Sequence, residues 1–390
     1  MKRLFWIIIG IFICVGCFGQ GTIDDLLLEI ERNNPELKAA AAALAQERLD
    51  NRSEALLENP EVEFNYLWGN SGVGNRHDVR ITQAFDLATL SGMKAGKVSS
   101  LDELSALKYE AQRLDLRQES RRLCIDLIYY NALLEELEGH LSRSSHLVRS
   151  YEKRLETGDA TILDLNKAKL HLASVQGEVN RSENERQALL SRLRTLNGGR
   201  DPETEILGYE GLEILPADFE TWFAEASEKS PVLAYIRKEV VLGQQQLAID
   251  RMAGMPELTV GYMSEIHTAE QFRGVTFGLN IPLWSGANRV KRARAGVAAA
   301  ESRQKAAEQE LYQHLKDLYR QAVATKANAE MMRASLADTD YRDYLLSALT
   351  QGEISMIDYL VENDLYYEAL EQALAAEREY RYALAALKVF

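Results

Sequence analysis

Cysteine is nearly missing from this chain. Its 390 residues include three, and Cys14 and Cys17 sit at the extreme N-terminus, so Cys124 stands alone and no disulfide is available to the rest. Proline is scarce as well. None occurs between Pro60 and Pro202, which permits helices of unusual length. After Cys17 no apolar run approaches the roughly 20 residues of a spanning helix, so any membrane-crossing part must be built from strands. Positive charge is in deficit, with 45 Lys and Arg against 59 Asp and Glu and a net charge of −14. That balance disfavours nucleic acid as a partner.

Catalytic signals are missing too. The histidines are His77, His140, His146, His171, His267 and His314, and they form neither a His-x-x-x-His nor a His-Glu-x-x-His pattern. His140 and His146, six apart, share a helix face poorly. There is no cysteine pair for zinc and no Gly-rich phosphate loop after a strand. The scattered carboxylates read as solvated helix faces, and Met331-Met332 as seam residues. The expectation is a protein without catalytic residues, metal or cofactor, and not an enzyme.

What is present begins with Met1-Lys2-Arg3, an apolar run from Leu4 to Cys17, and Phe18-Gly19-Gln20. A basic start, an apolar core and small residues before a polar segment make residues 1–19 a secretory signal peptide. Two processing routes stay open, cleavage after Gly19 and lipidation at Cys17, where Val15-Gly16-Cys17 fits the end of a lipoprotein box. Removing Lys2 and Arg3 with the signal takes the net charge from −14 to −16.

The remainder is a tandem duplication. Pro35 and Pro231, Pro60 and Pro256, and Val79 and Val275 are each 196 apart, while Ser91-Gly92 and Ser285-Gly286, and Gly158 and Gly352, are 194 apart. Residues 20–200 form the first repeat, 201–216 a linker and 217–390 the second, with a short helix predicted over Ala217 to Lys229. Asn34-Pro35 and Ser230-Pro231 are N-cap plus Pro at the first helical position, followed by helix formers over Leu37 to Glu58 and Val232 to Ala253.

The period then switches to two. Val62, Phe64, Tyr66 and Trp68 alternate with Glu61, Glu63, Asn65 and Leu67, and Val79, Ile81, Phe85 and Leu87 alternate with Arg80, Thr82, Ala84 and Asp86. In the second repeat Leu258, Val260 and Tyr262 face one way, as do Val275, Phe277, Leu279, Ile281 and Leu283. Two readings fit: strands crossing a bilayer with lipid outside and a polar lumen inside, or an antiparallel sheet with one buried face. Each strand pair leads into a long helix. From Met93 to Glu156 the stretch contains no Pro, and Leu123, Leu127, Tyr130, Leu134, Leu137, Leu141, Val148, Tyr151 and Leu155 recur at spacings of four and three, with Ser144 filling the seam position between Leu141 and Val148. This is a coiled-coil seam. It resumes over Leu165, Ala168, Leu172, Val175 and Val179, and in the second repeat over Leu311, Leu315, Leu318, Ala322, Ala329, Met332 and Leu336.

The seam is interrupted twice by one pattern, Gly158-Asp159-Ala160-Thr161-Ile162-Leu163-Asp164 and Gly352-Glu353-Ile354-Ser355-Met356-Ile357-Asp358. Glycine ends one helix and lets the next return antiparallel, so these are the tips of two helical hairpins. Four strands cannot close a barrel, and a membrane sheet does not leave open edges. Several chains must therefore share one barrel, and their hairpins one tube.

This organisation resembles the outer-membrane efflux protein family, the TolC-like channels, over essentially the whole mature chain. The signs are the duplicated order of helix, strand pair and long hairpin, the strand exit Pro282-Leu283-Trp284-Ser285-Gly286-Ala287-Asn288-Arg289, and the Gly-x5-Asp tips. The resemblance implies a mainly α fold with β-strands that assembles as a homotrimer, with twelve strands in the outer-membrane lipid and an α-barrel in the periplasm. It implies tips that dock on a periplasmic adaptor, the membrane fusion protein linked to an inner-membrane pump, through Gly158, Asp159, Leu163, Gly352, Glu353 and Ile357. It implies passive conduction of solutes in efflux or type I secretion, with an acidic aperture at Asp164, Asp358 and Glu362. Asp358 matches the first acidic pore position; the second falls on Val361, with Glu362 and Asp364 beside it. Asp164 matches a residue of a closing lock, whose basic partner is replaced here by Glu353 and Ile354. The alternative class is an envelope coiled-coil scaffold without a pore.

Overall fold

The computed structural model describes the chain except residues 1–21, 73, 203–208, 210–214, 268–269, 283, 285–287, 338–340 and 388–390. The signal segment with Cys17 and most of the 201–216 linker thus lie outside the described residues. The elements run α1 (Ile23–Asn33), α2 (Pro35–Ser53), β1 (Glu61–Leu67), β2 (Arg76–Phe85), α3 (Leu87–Leu90), α4 (Met93–Thr157), α5 (Ile162–Leu196), α6 (Phe219–Lys229), α7 (Pro231–Met252), β3 (Glu257–Ile266), β4 (Gln271–Asn280), α8 (Arg289–Ala337), α9 (Arg342–Gln351) and α10 (Met356–Leu387). The starts of α1 and α6, α2 and α7, and β1 and β3 are each 196 residues apart.

Local chemistry sets these boundaries. The Asn34 side chain accepts from the Leu37 amide at 2.8 Å and Pro35 occupies the first turn of α2. Ser230 does the same for α7, accepting from Leu233 at 3.4 Å ahead of Pro231. Helix α2 ends at Ser53, short of the predicted Glu58. Strand β2 ends at Phe85 because Asp86 caps α3, accepting from the Thr89 amide at 2.7 Å, so Leu87 is helical rather than the strand residue its alternation predicts. The 65 residues of α4 form one helix, about 97 Å long at roughly 1.5 Å per residue. In the second repeat the outgoing arm is divided into α8 and α9.

The chain forms two compact units. The first comprises Met1–Asn33, Ser120–Glu213 and Tyr341–Leu374, and the second Asn34–Glu119, Ile214–Asp340 and Ala375–Phe390. Each draws on both repeats.

In the second unit the strands form one antiparallel sheet in the order β1-β2-β3-β4. Register sorts its side chains. Val62 faces Ile81, which faces Tyr262, which faces Val275; Phe64 faces Val79; Val260 faces Phe277 and Leu258 faces Leu279. Opposed residues share a face, so these form one apolar surface. It is exposed, with Phe64 at 63%, Val275 at 63% and Phe277 at 76% relative accessibility. The other face carries Glu61, Glu63, Asp78, Arg80 and Glu265, with Arg80 paired to Glu63 at 3.2 Å and Arg76 to Glu265 at 3.0 Å. Neither β1 nor β4 has a second neighbour in the sheet.

Helices of the same unit pack through aromatic and small residues. Phe219, Leu233, Leu311 and Leu315 make one core with Trp222, Phe223, Tyr312 and Tyr319 around it. Ala329 packs with Ala376, Tyr380 and Leu384, and Ala322 with Ala383 and Leu387. Alanine lets the α8 and α10 backbones approach closely, and Ala322 has no exposed surface. Replacing Ala322 with Leu should overpack this contact and lower stability by about 1–3 kcal/mol, read as a lower midpoint in chemical denaturation; an unchanged midpoint would show that the helices have room to spare.

Candidate functional site

Both hairpin tips belong to the first unit, and they are built alike. At the first, Gly158 adopts φ +81°, its amide donates to Leu155 O at 3.2 Å, and Asp159 N donates to Arg154 O at 2.7 Å. At the second, Gly352 has φ +79°, with Gly352 N to Leu349 O at 3.2 Å and Glu353 N to Ala348 O at 2.9 Å. This left-handed closure consumes the terminal carbonyls of α4 and α9.

The returning helices α5 and α10 are capped by matching boxes. Thr161 Oγ1 donates to Asp164 Oδ2 at 2.6 Å, while the Asp164 amide donates back to Thr161 Oγ1 at 3.2 Å. Ser355 Oγ and Asp358 Oδ2 are 2.6 Å apart, and the Asp358 amide donates to Ser355 Oγ at 3.2 Å. The predicted aperture residues Asp164 and Asp358 are therefore the N3 residues of capping boxes. Hydrogen bonds from Thr161 hold the Asp164 carboxyl below its ordinary value, and those from Ser355 do the same for Asp358.

The tips are held together from behind. Leu147, Val148 and Tyr151 of α4, Leu165 and Ala168 of α5, Leu349 of α9, and Met356 and Tyr359 of α10 form one buried cluster. Arg342 Nη1 reaches Glu136 Oε2 at 2.9 Å, and its guanidinium lies 4.5 Å from the Tyr366 ring centroid. In front, Gly158, Asp159, Gly352 and Glu353 are exposed. So are two of the predicted docking side chains, Leu163 at 67% and Ile357 at 54%. Glu362, also exposed, accepts from Tyr341 Oη at 3.4 Å.

The structure also brings together residues that spacing did not. His140 of α4 is buried and stacks on Tyr367 of α10 with ring centroids 3.7 Å apart. Its Nε2 lies 3.2 Å from His171 Nε2 of α5 and 2.8 Å from Asn363 Nδ2. Burial, then the neighbouring His171 and Arg143, pushes its pKa down to about 3. The available signal was the seam itself, because His140 and His171 each immediately precede a seam residue, Leu141 and Leu172.

Solved structures share this architecture. The Campylobacter jejuni CmeC outer membrane channel superposes with a TM-score of 0.76 at 13% identity, covering 94% of this chain and 84% of that one. The outer membrane protein VceC of Vibrio cholerae gives 0.71 at 14%, covering 94% of each. The open-state MtrE outer membrane channel of Neisseria gonorrhoeae gives 0.71 at 13%, covering 94% and 88%. This chain has the TolC-like outer-membrane channel fold. No protein-family model and no curated protein matches it by sequence. At 13–14% identity the likeness to these structures is one of fold.

A Cβ at Gly158 or Gly352 would meet no atom within 4 Å, so substitution there acts through backbone strain alone. Gly158→Ala or Gly352→Ala should destabilise its tip by about 1–2 kcal/mol, seen as faster amide exchange over Thr161–Leu165 or Ser355–Tyr359; unchanged exchange would exclude the closure described. The caps should also respond to pH. Folding lowers both carboxyl values below 3.8, so their contribution is complete above that pH and is lost as pH falls through the folded-state values. Amide protection at the starts of α5 and α10 should then fall on acidification in the wild type, but much less in Asp164→Asn/Asp358→Asn, relative to its own neutral-pH level.

Proposed function

We propose that the protein is a passive outer-membrane exit channel in a tripartite efflux or type I secretion system. The observation that carries this reading is the exposed apolar face of a sheet whose two outer strands lack a second neighbour among the described residues. Backbone groups in hydrocarbon must all be paired, so a lipid-facing sheet closes on itself or on copies of itself. Three copies bring twelve strands, with Val62, Phe64, Val275 and Phe277 toward lipid and Glu61, Glu63 and Arg80 toward the lumen. Among the described residues no helix is long and apolar enough to cross a membrane, and the strands take that role.

The hairpins extend the duct into the periplasm and present their tips to an adaptor joined to an inner-membrane pump. Exposed Leu163 and Ile357 supply apolar contact there, with Gly158, Asp159, Gly352 and Glu353 beside them. Asp164, Asp358 and Glu362 give the mouth an acidic lining that favours cations. The channel itself performs no chemistry. The solved structures with which this chain shares its fold include those described as the CmeC and MtrE outer membrane channels.

Purified protein should behave as a trimer in detergent and form discrete, cation-selective conductances in planar bilayers. Asp358→Asn combined with Glu362→Gln should reduce that selectivity; an unchanged reversal potential would remove the acidic-mouth assignment. Release from membranes by carbonate without detergent, together with no conductance, would instead identify a pore-free scaffold.

A further inference from the structure

In the second unit, charge of one sign collects at the start of α8. From Gln271 to Ala300 the sequence holds no Asp or Glu, in a chain with 59 of them. Within that span Arg289, Lys291, Arg292 and Arg294 fall in the first two turns of α8. Local energetics do not ask for them there, because cations at a helix N-terminus oppose the macrodipole.

Pairing does not account for them either. Among the described residues none of the four has an ion-pair partner. Cations at the corresponding place in the first repeat do have partners. Lys94 of α4 lies 3.0 Å from Asp86, and Lys97 lies 2.9 Å from Glu54. The first repeat neutralises its cations internally, and the second leaves its own open.

Packing sets where they stand. Helix α8 lies against α7, where a Cβ at Gly243 would meet Val297 Cγ2 at 3.5 Å. Val290, Ala293, Val297 and Ala300 recur on that side at spacings of three and four, and all are wholly or partly buried. Lys291 and Arg292 stand on the opposite side and Arg294 flanks it; all three are exposed.

The end of the sheet gives their depth. Glu257, the first residue of β3, and Asn280, the last of β4, border a cavity of about 550 Å³ together with Arg289 and Arg292. The basic turns therefore begin at the helix-side end of the sheet. Glu58, Asp86, Asp250 and Glu257 offset the cations inside that cavity, while Lys291 and Arg294 lie outside its lining. The apolar face of β4 runs down to this end, with Val275, Phe277, Leu279 and Ile281 at 59–76% relative accessibility, and Trp284 at 82% follows in the chain. A strand of this length, tilted as in a barrel, spans the apolar band of about 25 Å, so the end of the sheet falls at the headgroups. Tryptophan is a residue of that interface. The chain thus passes from apolar strand to tryptophan to cations, the order of hydrocarbon, interface and phosphate.

Resting on the channel reading above, we propose that Lys291, Arg292 and Arg294 form a docking site for the phosphate headgroups of anionic phospholipid in the leaflet on the helix side of the sheet. Lipid held there fixes the depth at which the sheet sits.

The full-length protein in phosphatidylcholine vesicles containing phosphatidylglycerol tests this. Spin-labelled phosphatidylglycerol should be retained at the protein about fivefold more strongly than spin-labelled phosphatidylcholine, and the ratio should approach one in about 1 M NaCl. Lys291→Gln/Arg292→Gln/Arg294→Gln should bring the ratio close to one at low salt, with trimer and conductance unchanged. Lys97→Gln, which removes a cation already paired, should keep the wild-type ratio. Inserted, conducting protein without headgroup preference, a triple variant that retains the preference, or a Lys97→Gln variant that loses it would each overturn the site and leave the channel reading standing. Displacement by inorganic phosphate, but not by NaCl of equal ionic strength, would assign the cations to a free anion and overturn it as well. Failure of the protein to insert would remove the channel reading, and this site with it.

Discussion

A β-sheet with two open edges and one apolar face is an incomplete object. Every unpaired amide and carbonyl on β1 and β4 needs a partner, and the surface bearing Phe64, Val275 and Phe277 needs a solvent other than water. A single chain of this kind cannot resolve either demand, because its four strands are too few to curl into a barrel. The opposite face adds a third constraint. Its Arg80–Glu63 and Arg76–Glu265 pairs belong in water. The closed sheet of the proposed channel, with lipid outside and water inside, meets all three. In that proposal oligomerisation is a requirement of the backbone rather than an elaboration on a finished fold.

In the proposed channel the acidic mouth and the hairpin caps use the same atoms. Asp358 Oδ2 lies within hydrogen-bonding distance of both the hydroxyl and the amide of Ser355, which fixes the carboxylate at the start of α10. Its second oxygen keeps free valence. A carboxylate anchored this way loses little freedom on meeting a cation, whereas one on an unrestrained side chain would have to be ordered first. Capping and aperture are therefore compatible, and the cap sets where the charge stands. The lock is different. Glu353 and Ile354 occupy the positions where a basic partner for Asp164 would be expected, and the nearest cation the structure gives Asp164 is Lys167 on its own helix at 3.9 Å.

Much of this was legible in the sequence. Pro35, Pro231, Gly158 and Gly352 act locally, through fixed φ or tolerance of positive φ, so their consequences could be read without knowing the fold. The alternation at Val62–Trp68 and Val275–Ile281 gave the strands for the same reason. Helix α1 was missed, although the duplication pointed to it, because Phe219–Lys229 recurs 196 residues from Ile23–Asn33. Its place depends on distant partners: Asn33 bonds Asn197 at 2.8 Å, and Asn197 bonds Glu29 at 2.8 Å. The seam was only part of α4's buried surface. Cys124, Ile125, Ile128 and Leu133 are buried as well, because this stretch packs against more than one neighbour and a single stripe cannot record that.

The same reasoning explains why a polar cluster belongs inside an otherwise apolar seam. Leucine and alanine at heptad positions hold helices together but tolerate a slip of seven residues, since the pattern repeats. The contact between His140 and Asn363 does not repeat. A slip of seven would set His140 against Met356 or Leu370, leaving a buried imidazole nitrogen with an apolar neighbour at a cost of about 1–3 kcal/mol. The correct register of α10 against α4 is the one in which the imidazole finds the amide, and that register also brings the two glycine tips to the same end of the hairpins. Polar pairing within the helices thus adds to the apolar cluster behind the tips in fixing where the two tips stand.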